Sequence, residues 1–324
     1  MSTYKKIDRQ VRIAFLGCGV IASKHASRLN SFAGIDLYFA SRNEIKAKEY
    51  AAKYKGKGIF SSYVAAIQSP DIAVVFICTP PDSHLALSIE AMTAGKHVIC
   101  EKPSFFHSTD FDMIDKLRRE KRVQLFIAEN YYYKPALKKL REVMAADLIG
   151  DIKFLFFNAT KSQEVSNWRA DASTAGGGAL FEGGVHWINY ISNLGLTIQD
   201  VTGFQPLNTG KPERSMQVVA KYAEGPIGTL IYSWEVNTLF GGLRKSRIFG
   251  SKGSITLESN GLYIFVRGKK WKLLFPGIAD ISGSKAMLTD FINALRSGED
   301  AAFSLQMAKR DLEIVEQAYH TSIS

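Results

Sequence analysis

A lysine and a glutamate–histidine pair are the residues of this sequence best suited to moving protons. Glu101 and Lys102 follow the apolar run His97–Cys100, where a predicted strand leaves the core. Glu182 and His186 are four residues apart, so they share one face of a predicted helix. They can act as a general-base pair, with Lys102 as a third group. Taken singly, a strand-end lysine is usually a surface residue, and such a histidine is usually a core or capping residue.

A glycine-rich turn near the start of the chain indicates a dinucleotide site. The sequence GCGVIA, residues 17–22, follows a strand-like run and opens a predicted helix, in the pattern G-x-G-x-x-A. Gly17 permits the tight turn, Gly19 lets the backbone approach a pyrophosphate, and Ala22 lets helix and strand pack closely. The N–H groups and dipole of this helix would hold the phosphates, with Val20 and Ile21 in its first turn against the cofactor.

The end of the second predicted strand indicates which cofactor binds. A carboxylate at that end would bind the ribose 2′-hydroxyl of NAD, but Asp36 opens the strand and therefore lies at the opposite edge of the sheet. The strand instead ends in Ala40, Ser41 and Arg42. A hydroxyl and a guanidinium suit a 2′-phosphate, which predicts NADP(H), with NAD(H) as the alternative. The plainer interpretation is that Arg42 is a surface residue.

Two further loops are predicted at the same edge of the sheet. CTPPDSH, residues 78–84, ends a central strand, and Pro80 forces an abrupt exit because it has no amide hydrogen. Thr79, Pro80, His84, Glu101 and Lys102 are therefore predicted cofactor contacts, since open α/β sheets bind ligands at the carboxyl ends of their strands. A simple turn with a helix cap is the plainer interpretation of CTPPDSH.

The order of strand and helix signals predicts the elements that position these residues. Over residues 1–128, continuous apolar runs alternate with helical segments, which is typical of a doubly wound parallel sheet, a Rossmann-type dinucleotide-binding domain. From residue 129 onward, strand-like runs follow one another without intervening helices, which favours an open, mostly antiparallel sheet. We therefore expect an α/β protein with a second domain, residues 129–324, for substrate binding and oligomerisation.

Composition excludes several other classes of protein. The formal net charge of +10 comes from 41 Lys and Arg against 31 Asp and Glu, but these residues form no long basic stripe, which argues against nucleic acid as a partner. The three cysteines lie in or beside apolar runs and form no CxxC pair, so we expect neither disulfides nor a metal site. The polar N-terminus and the short first apolar run predict no signal peptide, no membrane span and a cytoplasmic location.

Four motifs, in order and spacing, resemble the glucose-fructose oxidoreductase/inositol dehydrogenase/rhizopine catabolism family. They are GCGVIASKH, CTPPDSH, AGKHVICEKP and GGGALFEGGVHWI, and the similarity extends through NYYYKP, IFGSKGSI and LTDFINALRSGE. The resemblance implies a Rossmann domain followed by an α/β domain whose open sheet commonly builds dimers or tetramers. It also implies NAD(P)-dependent chemistry at a carbinol carbon of sugars, polyols or related compounds.

The resemblance implies roles for individual residues. Lys102 corresponds to the family's catalytic or substrate-orienting lysine, and His186 to its acid–base histidine. Trp168 and Arg169 match a pair that contacts the cofactor in several members. Glu182 stands where the family usually has aspartate, and its extra methylene changes the reach of the carboxylate.

Two more residues are predicted substrate contacts alongside Lys102, Glu182 and His186. Asn189 stands where many sugar-oxidising members of the family carry aspartate, so their substrates do not transfer to this chain. Tyr133 lies in the matching NYYYKP segment. The expected ligand is therefore a small sugar-like molecule of unspecified identity.

Three functions are compatible with these residues. The first is hydride transfer between nicotinamide and a sugar-like carbon, with His186 exchanging the hydroxyl proton and Lys102 bonding the same oxygen. The second is a non-catalytic dinucleotide sensor that binds a partner protein, and the third is cofactor-assisted glycoside cleavage. A sensor need not keep both Lys102 and His186, and this chain has both, which favours an enzyme.

Overall fold

The first sheet is built from short apolar strands that all run in one direction. The computed structural model describes residues 3–7, 10–207, 212–238 and 243–322. The strands of this sheet are β1 (Val11–Leu16), β2 (Ile35–Ala40), β3 (Gly58–Phe60), β4 (Val74–Ile77), β5 (His97–Cys100) and β6 (Leu125–Ile127). Their order is β3-β2-β1-β4-β5-β6, and each neighbouring pair is parallel. The strand order reverses between β1 and β4, where open α/β sheets bind ligands.

Helices connect these parallel strands, as a crossover between parallel strands requires. They are α1 (Val20–Leu29), α2 (Glu44–Lys53), α3 (Tyr63–Gln68), α4 (His84–Thr93) and α5 (Asp110–Lys121). Side chains cap two of them, since Asn43 accepts a hydrogen bond from the Lys46 N–H and Ser62 accepts one from the Ala65 N–H. The predicted doubly wound parallel sheet is confirmed. Strand β3 and helix α3 were not predicted.

The second sheet has eight strands and is almost wholly antiparallel. Its strands are β7 (Ile152–Thr160), β8 (Ile198–Phe204), β9 (Ser215–Tyr222), β10 (Ile227–Ser233), β11 (Lys245–Gly250), β12 (Gly253–Glu258), β13 (Ile264–Arg267) and β14 (Lys272–Leu274). They follow the order β14-β13-β12-β11-β7-β10-β9-β8, with one parallel pair between β7 and β10. This confirms the open, mostly antiparallel sheet, although β8 itself was not predicted.

Helices that lie between β6 and β8 along the chain carry part of the candidate site. These helices are α6 (Pro135–Ala145), α7 (Ala172–Ala175) and α8 (Val185–Ser192), with a π-helical turn at Leu180–Gly184 directly before α8. The last two helices of the chain are α9 (Ser284–Ser297) and α10 (Leu305–His320). Within the described residues, no helix combines the length and apolar character needed to cross a membrane.

The chain divides into two compact units, and each consists of two separate stretches of sequence. The first unit contains Met1–Ala128 and Lys285–Lys309, and the second contains Glu129–Ser284 and Arg310–Ser324. Most of α9 therefore belongs with the parallel sheet, whereas the predicted second domain, residues 129–324, included it. The cause is packing: Phe291 of α9 stacks on Phe126 of β6, with ring centroids 4.8 Å apart.

Candidate active site

The fingerprint loop of the first unit has the backbone that a dinucleotide needs. Gly17 follows β1 with a φ of +102°, and a Cβ there would come within 2.9 Å of the carbonyl oxygen of Cys78, so only glycine fits. Gly19 forms the N-cap of α1 without a side-chain hydrogen bond, and no atom lies within 4 Å of where its Cβ would stand. Val20 is 79% exposed at the first turn. The start of α1 thus has no side-chain cap and has open space beside Gly19, which fits a pyrophosphate.

The end of β2 presents polar groups where the adenosine ribose is predicted to bind. The Ser41 hydroxyl accepts a hydrogen bond from the Asn43 N–H at 3.2 Å. Arg42 is exposed and interacts with Tyr63. Burial raises the pKa of Tyr63, and the nearby guanidinium of Arg42 opposes that rise. Asp36 stands near the other end of the strand. The arrangement fits Ser41 and Arg42 as ribose-side contacts.

The loop after β4 is tied to the loop after β5 by a buried histidine. The His84 ring is 1% exposed, with Nε2 2.9 Å from the Thr79 carbonyl oxygen and Nδ1 2.9 Å from the Pro103 carbonyl oxygen. Burial lowers its pKa, so the ring is kept neutral and one nitrogen at a time can donate. His84 therefore connects Thr79 and Pro80 to the loop after β5, which contains Lys102 and is called the lysine loop. Contact of His84 itself with the cofactor stays a prediction.

Glu101 connects the lysine loop to the fingerprint helix. Its carboxylate is 5% exposed, is hydrogen-bonded to Nε2 of His25 in α1, and accepts the Lys102 N–H at 3.1 Å. Burial alone would raise the pKa of Glu101, but the hydrogen bond and charge of His25 and the charge of Lys102 hold it below its usual value. The backbone of Lys102 is thereby fixed by the helix that begins at Gly19.

In the second unit, His186 faces a carboxylate that the sequence reading did not single out. Its Nδ1 lies 2.7 Å and 2.8 Å from the two carboxylate oxygens of Glu129, which also accepts the Tyr131 N–H at 2.9 Å. The Tyr131 ring stacks on the imidazole, with centroids 4.5 Å apart and an interplanar angle of 10°. A carboxylate at Nδ1 favours the tautomer protonated there, which leaves Nε2 as a proton acceptor.

Glu182 has a partner that was not predicted. Its carboxylate accepts two hydrogen bonds from Arg169, at 3.2 Å from Nε and 3.0 Å from Nη2, and the guanidinium lies 4.3 Å from the Trp168 ring. The predicted general-base pair assumed one regular helix, whereas Glu182 lies in the π-helical turn and His186 in α8. The pairing of Glu182 with His186 stays a prediction, beside the observed pairs of Glu129 with His186 and of Arg169 with Glu182.

The two other predicted substrate contacts occupy contrasting positions. Asn189 is fully buried in α8, where its amide donates to the Asp311 carboxylate at 2.6 Å. Burial raises the pKa of Asp311 to about 6. Burial of this kind argues for a packing role between α8 and α10. Tyr133 is partly exposed and packs edge-on against Tyr132. Substrate contact by either residue stays a prediction.

Lys134 is a further functional candidate that the sequence reading missed. It is 5% exposed, and its ammonium lies 4.3 Å from the centroid of the Tyr131 ring that stacks on His186. Burial lowers the pKa of Lys134 to about 8, which disfavours but does not remove its charge at neutral pH. The only available signal was its place in NYYYKP, five residues after Glu129. Among the described residues, no cluster of His, Cys, Asp and Glu could hold a metal ion.

Comparison with known proteins agrees with these features. Residues 11–129 match the model of the oxidoreductase family with an NAD-binding Rossmann fold, and residues 137–256 match the GFO/IDH/MocA C-terminal domain. The chain is 27% identical over 287 residues to levoglucosan dehydrogenase from Pseudarthrobacter phenanthrenivorans, covering 78% of this chain and 72% of that protein. It is 24% identical over 318 residues to D-glucoside 3-dehydrogenase from Escherichia coli, covering 87% of each.

Solved structures share the whole fold. Levoglucosan dehydrogenase in complex with NADH and levoglucosan superposes with a TM-score of 0.83 at 21% identity, over 97% of this chain and 98% of that one. An oxidoreductase domain protein from Kribbella flavida gives a TM-score of 0.84 at 19% identity, over 96% and 98% of the two chains. Together with the two matched domain models, this shows that the chain belongs to the Gfo/Idh/MocA family of NAD-binding oxidoreductases.

Proposed function

We propose that the protein is an NAD(P)-dependent dehydrogenase or reductase acting on a CH–OH group of a sugar, polyol or related small molecule. The observation that carries the proposal is the carboxylate of Glu129 at Nδ1 of His186, because it prepares the other ring nitrogen to exchange a proton. The dehydrogenases of levoglucosan and D-glucosides among its relatives support a sugar as the substrate.

In the oxidative direction, the hydroxyl proton passes to Nε2 of His186, and the imidazolium that forms is stabilised by Glu129. When bound, the cofactor supplies the nicotinamide carbon that accepts the hydride from the carbinol carbon. Lys102 donates a hydrogen bond to the reacting oxygen, and Arg169 is held in place for cofactor contact by Glu182 and Trp168. In the reductive direction, the same groups return the proton to the oxygen.

The test is turnover of reduced or oxidised nicotinamide, followed by absorbance, with levoglucosan, glucosides and keto-sugars as substrates. The proposal expects turnover with at least one of these, and a loss of turnover of about 10²–10⁴-fold in Lys102→Ala, which should bind the cofactor nearly as well as the unaltered protein. A dinucleotide sensor would bind cofactor without turnover, and a glycosidase would cleave glycosides without net redox. Either result would overturn the proposed reaction.

For the cofactor, we propose a preference for NADP(H), carried by Ser41 and Arg42. Both follow β2 at the ribose side, and neither is an acidic group that would repel a 2′-phosphate. Arg42→Ala should weaken NADPH binding about 10- to 100-fold and leave NADH nearly unchanged. Fluorescence titration at fixed ionic strength measures both affinities, with Lys48→Ala as a control because Lys48 is a nearby exposed cation paired with Glu44. Tighter binding of NADH by the unaltered protein would contradict the preference.

The two units support different parts of this function, and a second copy of the chain is the proposed partner of the second unit. We assign cofactor binding to residues 1–128 of the first unit, and substrate binding and self-association to the second unit, residues 129–284 and 310–324. Phe154 and Ile227 are paired neighbours on the outer face of the second sheet, 58% and 41% exposed. Such exposed apolar residues in adjacent strands favour a homodimer or homotetramer. Light scattering should then show a smaller mass for Phe154→Lys, whereas an unchanged monomeric mass in both proteins would contradict it.

We also propose that the protein works in the cytoplasm. Cys78 and Cys100 are buried and Cys18 is partly exposed, and all three are free thiols, as expected in a reducing compartment. Expression with fractionation of the host cells would test this, and recovery with exported proteins would contradict it.

A further inference from the structure

The segment that carries Glu182 and His186 begins at a glycine-rich turn whose backbone is held from outside the helix. The first four N–H groups of a helix lack partners within it, and here those of residues 178–181 all find acceptors on other elements. The Glu182 N–H is the first to bond within the segment, to the Gly178 carbonyl oxygen at 2.9 Å. Two residues, Glu213 and Tyr319, supply every one of those external acceptors.

Tyr319 of α10 reaches this turn with its hydroxyl group. The hydroxyl oxygen accepts the N–H of Gly178 at 3.3 Å and that of Phe181 at 3.2 Å. Its own proton is donated to Oε1 of Glu213 at 2.9 Å. The hydroxyl therefore connects the last turn of α10 to the backbone at Gly178 and at Phe181.

Glu213 completes the set of acceptors. Its backbone carbonyl accepts the Ala179 N–H at 2.8 Å, and its Oε1 accepts the Leu180 N–H at 2.9 Å. The carboxyl lies so close to the turn that a Cβ on Gly178 would stand 1.5 Å from Oε2. Glycine at position 178 is thus required by this contact.

We propose that Glu213 and Tyr319 are positioning residues that fix the start of the π-helical turn and thereby hold Glu182 and His186 in place for reaction. The effect on catalysis rests on the proposed function, whereas the structural role of Glu213 and Tyr319 rests only on the observed hydrogen bonds. Without these acceptors, four N–H groups near the start of the segment would lose their partners, and the turn before α8 would open more often.

We call the contacts of Glu213 and Tyr319 with residues 178–181 the clamp. The stability of this clamp should depend on pH. Glu213 is 7% exposed, the titratable group facing it is Tyr319, and no cation pairs with it in the described part of the chain. Burial raises the pKa of Glu213 from its ordinary value of 4.5 to about 7. Opening of the turn would return the carboxyl to water and restore the lower pKa. Opening therefore releases a proton and becomes easier as the pH rises from about 4.5 to about 7.

Hydrogen exchange of the full-length protein, read by mass spectrometry on peptides covering residues 176–190, tests the clamp without a substrate. Rates are compared at pH 5.5 and 8 after division by the intrinsic exchange rates. Tyr319→Phe should speed exchange at residues 178–181 about five- to tenfold. Tyr222→Phe is the matched control, because this hydroxyl bonds to the Ile191 carbonyl oxygen in the same unit. Glu213→Gln should remove the pH dependence that the unaltered protein shows.

Activity provides the second readout. In a panel that shows turnover, Tyr319→Phe should lower kcat about tenfold, and it should weaken the binding of NAD(H) and NADP(H) by no more than Glu182→Gln does. Unchanged exchange at residues 178–181 would overturn the clamp, as would an equal rise throughout the second unit. Faster exchange with unaltered kcat would overturn its positioning role. Absence of turnover in the unaltered protein would count against the proposed reaction alone, since the exchange results still decide whether the clamp exists.

Discussion

Each unit of this protein contains a hydrogen-bonded pair of histidine and glutamate, and the two pairs differ in how exposed the imidazole is. In the first unit, the side chains of His25 and Glu101 are 5% and 6% exposed, Nδ1 of the ring is buried with no hydrogen-bond partner among the described residues, and Phe76 lies against the ring. In the second unit, the His186 side chain is 15% exposed beside a Glu129 that is 4% exposed. Only the second imidazole can therefore pass a proton outward.

This difference teaches that a carboxylate–imidazole pair is not in itself a catalytic feature. The pair of His25 and Glu101 joins helix α1 to the lysine loop, so its role is to stabilise the structure there. The pair of Glu129 and His186 uses the same hydrogen bond to select a tautomer and leaves one nitrogen to react. Four substitutions separate these roles, from the largest expected effect to the smallest.

His186→Ala should lower turnover about 10²–10⁴-fold with little change in cofactor affinity, because it removes the proposed proton acceptor. Steady-state kinetics and cofactor titration measure the two quantities. The double variant with Lys102→Ala should be scarcely slower than either single variant, since groups that act as one unit are not additive. Fully multiplicative losses would mean that the two residues act independently.

His25→Ala should act on stability instead. It leaves the Glu101 carboxylate buried without its partner, which costs about 3–5 kcal/mol of unfolding free energy. Urea unfolding followed by circular dichroism measures that loss. A variant as stable as the unaltered protein would show that the pair in the first unit carries no mechanical role.

Glu129→Gln should lower kcat about 100-fold, because a neutral amide no longer stabilises the imidazolium and can favour the wrong tautomer. Comparison with Glu101→Gln sharpens the contrast, since that variant should lose stability more than turnover. The expected signature is a changed acid limb in the pH profile of kcat/KM for Glu129→Gln. An unchanged rate and profile would remove Glu129 from the mechanism.

Glu182→Gln should have the smallest effect, a three- to tenfold loss, because Glu182 pairs with Arg169 and the guanidinium remains held by Trp168. Glu182→Asp keeps the charge and serves as the conservative control. The loss should appear mainly as weaker cofactor binding, measured by titration. A loss as large as that of Glu129→Gln would return Glu182 to the role of partner for His186.

Local patterns were sufficient to predict the parallel sheet but not all of its members. Continuous apolar runs such as Val74–Ile77 are wholly buried and show clearly in the sequence. Strand β3 has only three half-buried residues, and the apolar residues of β8 (Ile198, Val201 and Phe204) stand three apart, so neither shows the period of two that indicates a strand. Helix α9 was predicted, but its packing against β6 depends on contacts distant in sequence.

The candidate site divides in the same way. Gly17, Gly19 and Lys102 were predicted because strand ends of a parallel sheet share one edge. The pairing of Glu129 with His186 spans 57 residues and arises from tertiary packing, which no local spacing reveals. The four-residue spacing of Glu182 and His186 assumed a regular helix, whereas Glu182 lies in a π-helical turn, a feature often found at functional sites.

The most direct test of the proton-exchange role follows the hydride itself. Reduced nicotinamide cofactor that is deuterated at the transferred position is incubated with a keto-sugar that supports turnover. The deuterium content of the alcohol product is then measured by mass spectrometry. The account predicts one deuterium on the new carbinol carbon with the unaltered protein and about 10²–10⁴-fold slower transfer with His186→Ala. Transfer at equal rates by both proteins, or cofactor binding without any transfer across the substrate panel, would contradict it.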